Sequence, residues 1–258
     1  MVEGARTRAL LRRRRRRRQR LLLAAGIVTA SLLAALAGVG YLGRGTARPG
    51  AATASTPTVA PAGPPPSAPV TGPNTFTYAD GSDRVLGPGG APPRTYRVAV
   101  EDGSGQDVAG FAGAVARILA DPRGWTGGGD LRFQQVPKTA PKVNVTVLLA
   151  TQATGEKLCS AGGVHTEQYT SCRLPGQLVL NLTRWLTAVP GYGASLDEYR
   201  AYELNWALGR ELGHGNEACP GPGRPAPVMQ KQVLGLKGCT ANGWPYRDGA
   251  RYAGPPVP

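Results

Sequence analysis

A run of 23 uncharged, mostly apolar residues lies near the N-terminus, at positions 21–43. A helix of this length spans about 34 Å at about 1.5 Å per residue, enough to cross a hydrocarbon core of about 30 Å. The run therefore predicts a transmembrane helix. A cleaved signal peptide is the alternative, because Ala35-Leu36-Ala37 has the small-x-small form of a cleavage site. The run is longer than the core of a usual signal peptide, about 7–15 residues, which favours the uncleaved anchor.

The positive charge of the chain is concentrated around this run. Residues 1–48 contain 12 of the 30 basic side chains and a single acidic one, whereas the other 210 residues contain 18 basic and 15 acidic side chains. The net charge of +14 thus belongs mainly to the tail, residues 1–20. The nearly neutral remainder argues against a nucleic-acid-binding protein.

The distribution of arginines also predicts the orientation in the membrane. Seven consecutive arginines, Arg12 to Arg18, directly precede the apolar run, and only Arg44 and Arg48 follow it closely. The positive-inside rule then places residues 1–20 in the cytoplasm and everything after residue 43 outside it. We expect the seven arginines to contact anionic lipid head groups as well, rather than nucleic acid.

The remaining chain divides into a linker and a folded domain. Residues 44–75 are rich in Pro, Ala, Thr and Gly without apolar periodicity, which predicts a disordered spacer. From residue 76 onward, strand-like runs at 96–100, 131–136, 143–149 and 178–182 accompany helical patterns at 108–119 and from Ser195 to Leu212. Ser195 and Glu198 match a capping box. This order predicts an α+β domain over residues 76–258.

Four cysteines occur as two local pairs, Cys159 with Cys172 and Cys219 with Cys239. In an exported domain, an even number of cysteines with such spacing predicts two disulfide bonds. A zinc cluster is the alternative. It is disfavoured because the chain has no C-x-x-C pair and only two histidines, His165 and His214.

Several segments of residues 76–258 resemble an actinobacterial exported family known as domain of unknown function 3152, which is similar to the zincin metallopeptidases of the metzincin type. The resemblance is carried by the cysteine pairs and by the runs NLTRWL, SLDEYRAYELN, GRELGHG, CPGPGRPAPVMQKQ and GLKGCTANGWP. It implies a zincin-like α+β domain: a mixed β-sheet, an active-site-type helix, and an irregular C-terminal segment with a Met-turn at Met229. The predicted Cys219–Cys239 bridge would hold that segment beneath the helix.

The zincin pattern H-E-x-x-H-x-x-G-x-x-H is degenerate in this sequence. Aligned on Gly213, the three ligand positions hold Trp206, Arg210 and Asn216, and the glutamate position holds Ala207. Indole is a donor only, and a guanidinium has no lone pair for a metal. We therefore expect no zinc or other cofactor and no peptidase activity.

We also expect the Trp206 ring and the Arg210 guanidinium to stack where the metal would lie, because residues four apart share a helix face. Glu217 is expected to neutralise Arg210.

Three hypotheses for function follow. The preferred one is a membrane-anchored pseudo-metallopeptidase whose groove binds an extracytoplasmic peptide, cell-wall polymer or envelope protein. The second is an active zinc hydrolase in another register, with Glu211 as base and His214 as ligand, which requires the helix to continue through Gly213. The third is a purely structural envelope domain.

Overall fold

A computed structural model describes residues 68–257. The predicted tail, the predicted transmembrane helix at 21–43 and most of the predicted linker lie outside the described residues. No helix within residues 68–257 is both long enough and apolar enough to cross a membrane.

The fold is built on a mixed seven-stranded sheet, so the α+β class is confirmed at that level. Strand order is β2-β4-β3-β5-β7-β6, and β1 pairs with β3 beyond the end of β4. The contacts of β3 with β4 and β5, and of β5 with β7, are parallel; β2, β1 and β6 are antiparallel to their neighbours. The strands are β1 (Phe76–Tyr78), β2 (Val85–Leu86), β3 (Arg94–Glu101), β4 (Phe133–Gln135), β5 (Val145–Ala150), β6 (Cys172–Leu174) and β7 (Gln177–Asn181).

Within residues 68–257, four helices cover the two faces of this sheet: α1 (Val108–Ala120), α2 (Gln152–Ala161), α3 (Leu182–Thr187) and α4 (Leu196–Glu211). The sequence patterns predicted α1 and α4 but missed α2, which has few apolar residues and a glycine in its middle, and α3, whose six residues are too few to show a period. Short 3-10 helices lie at Trp125–Gly128 and Gln232–Leu234. Two short antiparallel pairs follow: β8 (Asn216–Glu217) pairs with β11 (Pro256–Val257), and β9 (Tyr246–Arg247) forms a hairpin with β10 (Ala250–Arg251).

Strand register divides the apolar side chains between two clusters. Val98, Val147 and Leu178 lie side by side in register and belong to the larger cluster, which α1, α3 and α4 cover. Ala99, Leu148 and Val179, one position further along each strand, form the smaller cluster on the opposite face with Cys159 and Cys172. Because neighbouring strand residues point to opposite faces, alternation in three strands produces both layers.

The start of the described chain is attached to the domain rather than separate from it. The Ala153 amide donates to the Val70 carbonyl at 3.0 Å, and the Asn74 amide donates to the buried carboxylate of Glu101 at 2.9 Å. Glu101 also accepts from the Thr151 amide at 2.7 Å. Residues 68–75, which composition assigned to the disordered spacer, therefore belong to the folded unit, because a buried carboxylate needs these donors.

Candidate functional site

A cavity of about 690 Å³ lies beside α4. One wall is the segment from Val164 to Arg173, which leads into the edge strand β6; the other is the outward face of α4; residues 231–234 close the rim. This volume falls within the range of about 300–1,000 Å³ that is usual for ligand pockets.

The wall formed by residues 164–173 is held by side chains of α2. The disulfide Cys159–Cys172 joins α2 to β6, as the spacing of the cysteines predicted. Glu156 accepts hydrogen bonds from the Ser160 hydroxyl at 2.6 Å and the Thr166 amide at 2.8 Å. The hydrogen bonds from the Ser160 hydroxyl, the Thr166 hydroxyl and the Thr166 amide, in that order, lower the pKa of the Glu156 carboxyl. Residues 164–173 are irregular over most of their length and have no strand partner on their outer side in the described part of the chain. The Glu156–Thr166 bond fixes this segment near its start, and the disulfide at Cys172 fixes it near its end.

Helical spacing brings the cavity-facing side chains of α4 together. Glu203, Trp206 and Arg210 lie at i, i+3 and i+7, so they follow one stripe of the helix, and all three line the cavity. Asn216, in β8 after the helix, lines it as well. The three residues that the alignment placed at ligand positions are therefore grouped around one cavity.

Ala207, aligned with the glutamate of the zincin pattern, lies elsewhere. It is fully buried in the larger apolar cluster and is not part of the cavity wall. A carboxylate at this position would enter the core beside apolar side chains, where a charge is costly.

The residues around the cavity do not fit a zinc ion. The described part of the chain contains no group of three or more His, Cys, Asp or Glu side chains that could hold a metal. At the aligned positions, Trp206 offers only an N–H and Arg210 only a cation. The Trp206 Nε1 atom is buried without a hydrogen-bond partner in the described residues, so this position presents a free donor rather than a lone pair.

Two expected contacts of Arg210 are wrong. Its Nη1 donates to the His214 carbonyl at 2.9 Å, and the cation–π pairs within residues 68–257 do not include Trp206 with Arg210. Glu217 binds Arg251 at 2.8 Å and the Gly254 amide at 3.1 Å instead of neutralising Arg210. The C-terminal strand segments, whose position the sequence pattern did not reveal, bring Arg251 closer.

Glu211 and His214 are the base and the zinc ligand of the alternative hypothesis. In the structure each of them contacts a different residue. Glu211 forms an ion pair with Arg173 at 2.6 Å. The His214 ring stacks on Trp125 with centroids 4.3 Å apart. Burial, and then the charge of Arg251, lower the pKa of His214.

Gly213 explains why His214 is not on the helix with Glu211. Helix α4 ends at Glu211, one residue before the predicted end, and Gly213 has a φ of 92°. The His214 amide donates to the Gly209 carbonyl at 2.9 Å and the Gly213 amide to the Arg210 carbonyl at 3.2 Å, the bond pattern of a Schellman motif. This left-handed position favours glycine and reverses the chain direction, so the helical geometry that the alternative register requires is absent here.

Met229, the residue of the expected Met-turn, packs against α4. It is fully buried, and its sulphur is adjacent to the α carbon of Gly209, where a Cβ atom would overlap it. The Cys219–Cys239 bond brackets the segment that carries Met229, as predicted. The small residue in α4 lets the C-terminal segment approach the helix backbone closely.

Sequence patterns missed Glu203, which is the most unusual residue of the cavity. Its side chain is only 2% exposed. Oε1 accepts hydrogen bonds from Ser171 at 2.9 Å and Tyr199 at 3.1 Å, whereas Oε2 has no partner in the described residues. The signal was present in the spacing, because Glu203 lies three residues before Trp206 on the same helix face.

The protonation of Glu203 differs from that of an exposed carboxyl group. Burial raises its pKa to about 7, and the hydrogen bonds from Ser171 and Tyr199 and the charge of Arg184 offset only part of that effect. Ser171 is itself oriented by the Asn181 amide, which donates to its hydroxyl at 2.9 Å. The cavity thus contains a carboxyl group that titrates near neutral pH, a property that is common at functional sites.

Residues 61–243 match the model of a family described as "Protein of unknown function (DUF3152)". The match covers more than half of the chain and includes every residue that lines the cavity. The chain therefore belongs to this family. Neither the curated proteins nor the solved structures contain a significant match.

Proposed function

We propose that this member of the DUF3152 family is a membrane-anchored, extracytoplasmic binding protein with a zincin-like domain that has lost zinc and peptidase activity, and that its cavity accepts an extended peptide. The observation that supports the proposal is the position of the cavity between α4 and the edge strand β6. Among the described strands, β6 pairs only with β7, so its outer edge is available for the backbone of a ligand.

The lining suits such a ligand. Tyr169, Leu234 and Val164 are exposed apolar side chains at the cavity wall and rim, with 37%, 59% and 38% exposure. Polar groups of α4 lie deeper, at Glu203 and Trp206. An apolar surface with a few oriented polar groups is the usual composition of a ligand site.

Peptide selection against the full-length protein tests this function. A library of displayed random octapeptides is enriched on the protein purified in mild detergent and on two variants. Thr170→Trp places a large ring in the cavity at a side chain that forms no hydrogen bond in the structure, whereas Thr139→Trp places the same ring at an exposed turn away from it.

We expect enriched peptides to bind the parent and the Thr139→Trp protein equally and the Thr170→Trp protein at least about tenfold more weakly. Equal binding to all three proteins, or no enrichment on the parent, would reject the cavity as a peptide site.

Elemental analysis of the dialysed protein separates this proposal from the zinc hydrolase. We expect far less than one zinc per chain and no change in Tm on addition of a chelator, because no set of ligands surrounds the cavity. Zinc bound at one per chain, with a Tm that a chelator lowers, would support the hydrolase that uses Glu211 and His214.

The alignment itself can be tested by restoring the histidines. In the variant Trp206→His, Arg210→His, Asn216→His, three imidazoles face the cavity without any change to buried Ala207. We expect this variant to bind zinc and the parent not to. A variant without zinc affinity would show that the three positions are not a ligand set.

A further inference from the structure

We propose that the cavity recognises a carboxylate group of its peptide ligand, which is bound by Arg210, Lys231 and the Trp206 N–H together with a protonated Glu203. This inference rests on the proposed function and adds to it the chemical class of the group that the site selects.

The first argument is the charge of the cavity. Three cationic side chains, Arg173, Arg210 and Lys231, line it. Arg173 is neutralised by Glu211, but neither Arg210 nor Lys231 has a carboxylate within ion-pair distance in residues 68–257. Of the acidic residues in the lining, Glu167 is exposed at the rim, where solvent screens its charge. Two uncompensated cations beside a partly enclosed cavity attract an anion.

The second argument is the hydrogen-bonding capacity of the stripe on α4. Trp206 Nε1 is a buried donor without an acceptor in the described residues. Arg210 uses one donor on the His214 carbonyl and keeps others free. Trp206 Nε1 therefore lacks an acceptor in the described residues, and buried donors are rarely left unpaired; Arg210 adds free donors at the same cavity. The amide of Asn216, whose Oδ1 is also buried without a partner in that part of the chain, offers its NH2 group to the same ligand.

The third argument is the position of the proton on Glu203. Oε1 accepts bonds from Ser171 and Tyr199, so a proton on the carboxyl group belongs on Oε2, the oxygen without a partner. Protonated Glu203 then offers an O–H to the cavity in which Trp206 and Arg210 lie. A carboxylate accepts several hydrogen bonds at once and satisfies these donors.

A cationic ligand suits the site less well. It would have to ionise Glu203, whose pKa burial raises to about 7, and to lie beside the charges of Arg210 and Lys231. The titratable and charged groups that face Glu203 are the hydroxyls of Tyr199 and Tyr202 on its own helix, the hydroxyl of Tyr192 and the guanidinium of Arg184; the Ser171 hydroxyl donates to it.

Three synthetic peptides test the proposal: acetyl-tetra-alanine with a free C-terminal carboxylate, the same peptide as its C-terminal amide, and the amide of acetyl-Ala-Ala-Asp-Ala. Affinity for the full-length protein in detergent is measured by tryptophan emission. Trp206 is the half-buried tryptophan of the cavity, whereas Trp125, Trp185 and Trp244 are buried in the core, so the signal should disappear in Trp206→Phe.

At pH 6 we expect the free acid to bind at least about tenfold more tightly than its amide, the range that a charge-assisted hydrogen bond provides. Tight binding of the aspartate peptide would show that side-chain carboxylates are accepted too; weak binding would restrict the site to C-termini. Both results agree with carboxylate recognition. Equal affinity of acid and amide, or no emission change with the acid, would overturn it.

Variants assign the contacts. Arg210→Gln should reduce the affinity for the acid peptide about 10–100-fold and that for the amide much less, whereas Arg210→Lys should retain part of the affinity for the acid. Lys231→Gln should lower the affinity for the acid peptide several-fold. Lys142→Gln, which changes an exposed lysine outside the cavity, should leave this affinity unchanged. Each variant is checked for an unchanged Tm; unaltered acid binding in both Arg210 variants would refute the assignment.

The pH dependence of the affinity for the acid peptide tests whether Glu203 contacts the ligand. A purely structural role of Glu203 would not make this affinity depend on the protonation of its carboxyl group. Raising the pH from 6 to 8.5 ionises Glu203 and should weaken binding of the acid peptide about tenfold. Glu203→Gln keeps a donor and should abolish this dependence, whereas His165→Gln, which changes the histidine of the lining, should preserve it. If Glu203→Gln retained the full dependence, Glu203 would not be part of the site.

These outcomes distinguish the two proposals. Peptides that lose affinity for Thr170→Trp but bind equally as acid and amide would leave the peptide site intact and reject carboxylate recognition. No binding of any peptide at the cavity would reject both.

Discussion

The protonation state of Glu203 affects the stability of the fold. Its pKa in the folded protein, about 7, lies above the value of 4.5 for an unburied carboxyl group. Between these values the folded state binds the extra proton, so stability decreases as the pH rises from about 4.5 to about 7. The loss is about 3 kcal/mol at most, at about 1.4 kcal/mol per pH unit of pKa difference.

We therefore expect Glu203→Gln to remove this pH-dependent loss. The variant should be more stable than the parent above pH 7 and lose that advantage near pH 4.5, as measured by urea unfolding at both pH values with the disulfides intact. Glu167→Gln, an exposed matched change, should leave the pH profile unaltered. Identical profiles of the Glu203→Gln protein and the parent would contradict the burial effect.

At the scale of elements, the contact of α4 with the C-terminal segment depends on a glycine. A Cβ atom at Gly209 would overlap the Met229 sulphur and come within 2.6 Å of the Trp125 ring. Overpacking of a buried contact destabilises a protein by about 1–3 kcal/mol. The higher helix propensity of alanine relative to glycine stabilises it by only about 1 kcal/mol.

Gly209→Ala should therefore lower the free energy of unfolding by about 1–2 kcal/mol. Gly113→Ala in the middle of α1 is the matched control, because its Cβ would meet only the end of Arg117 at 3.6 Å. There we expect a gain of about 0.5–1 kcal/mol from helix propensity. Chemical denaturation of both variants measures the difference; two stabilised proteins would mean that Met229 moves aside without cost.

The second disulfide stabilises the same region through chain entropy. Cys219 and Cys239 are separated by 20 positions, and a closed loop of this length contributes about 3 kcal/mol. The double variant Cys219→Ala, Cys239→Ala should lose about 2–4 kcal/mol in chemical denaturation, and peptide mapping of the unreduced parent should recover the linked pairs 159–172 and 219–239. Crossed pairs or free thiols in the parent would refute this connectivity.

At the scale of the whole molecule, the prediction concerns topology. The arginines before positions 21–43 predict that residues 44–258 lie outside the cytoplasm, which agrees with two disulfides in the folded domain. A phosphatase that folds only after export, fused to the C-terminus, should be active, and a cytoplasmic reporter at the same place inactive. The reverse pattern would overturn the orientation.

The sequence by itself determined the local features of this protein. Apolar alternation predicted β3, and short apolar, β-branched runs predicted β5 and β7. Periodicity with the Ser195 cap predicted α4, because all these signals depend on neighbouring residues. The spacing of the cysteines predicted both disulfides, since a short loop brings its ends together easily. Residue types excluded zinc ligation at Trp206 and Arg210 whatever the fold.

Tertiary structure alone decided which side chains share the cavity. Ser171 reaches Glu203 across 32 positions, and Arg251 rather than Arg210 binds Glu217 across 34. In the capping box, too, the sequence predicted only the local contact. Ser195 accepts from the Glu198 amide as predicted, but the Glu198 carboxylate binds the distant residues Gly243 and Trp244. Long-range partners compete with local ones for each polar group, and packing decides which of them is near. The raised pKa of Glu203 follows from the same cause, because burial is a property of the whole fold and not of the residues beside it in the chain.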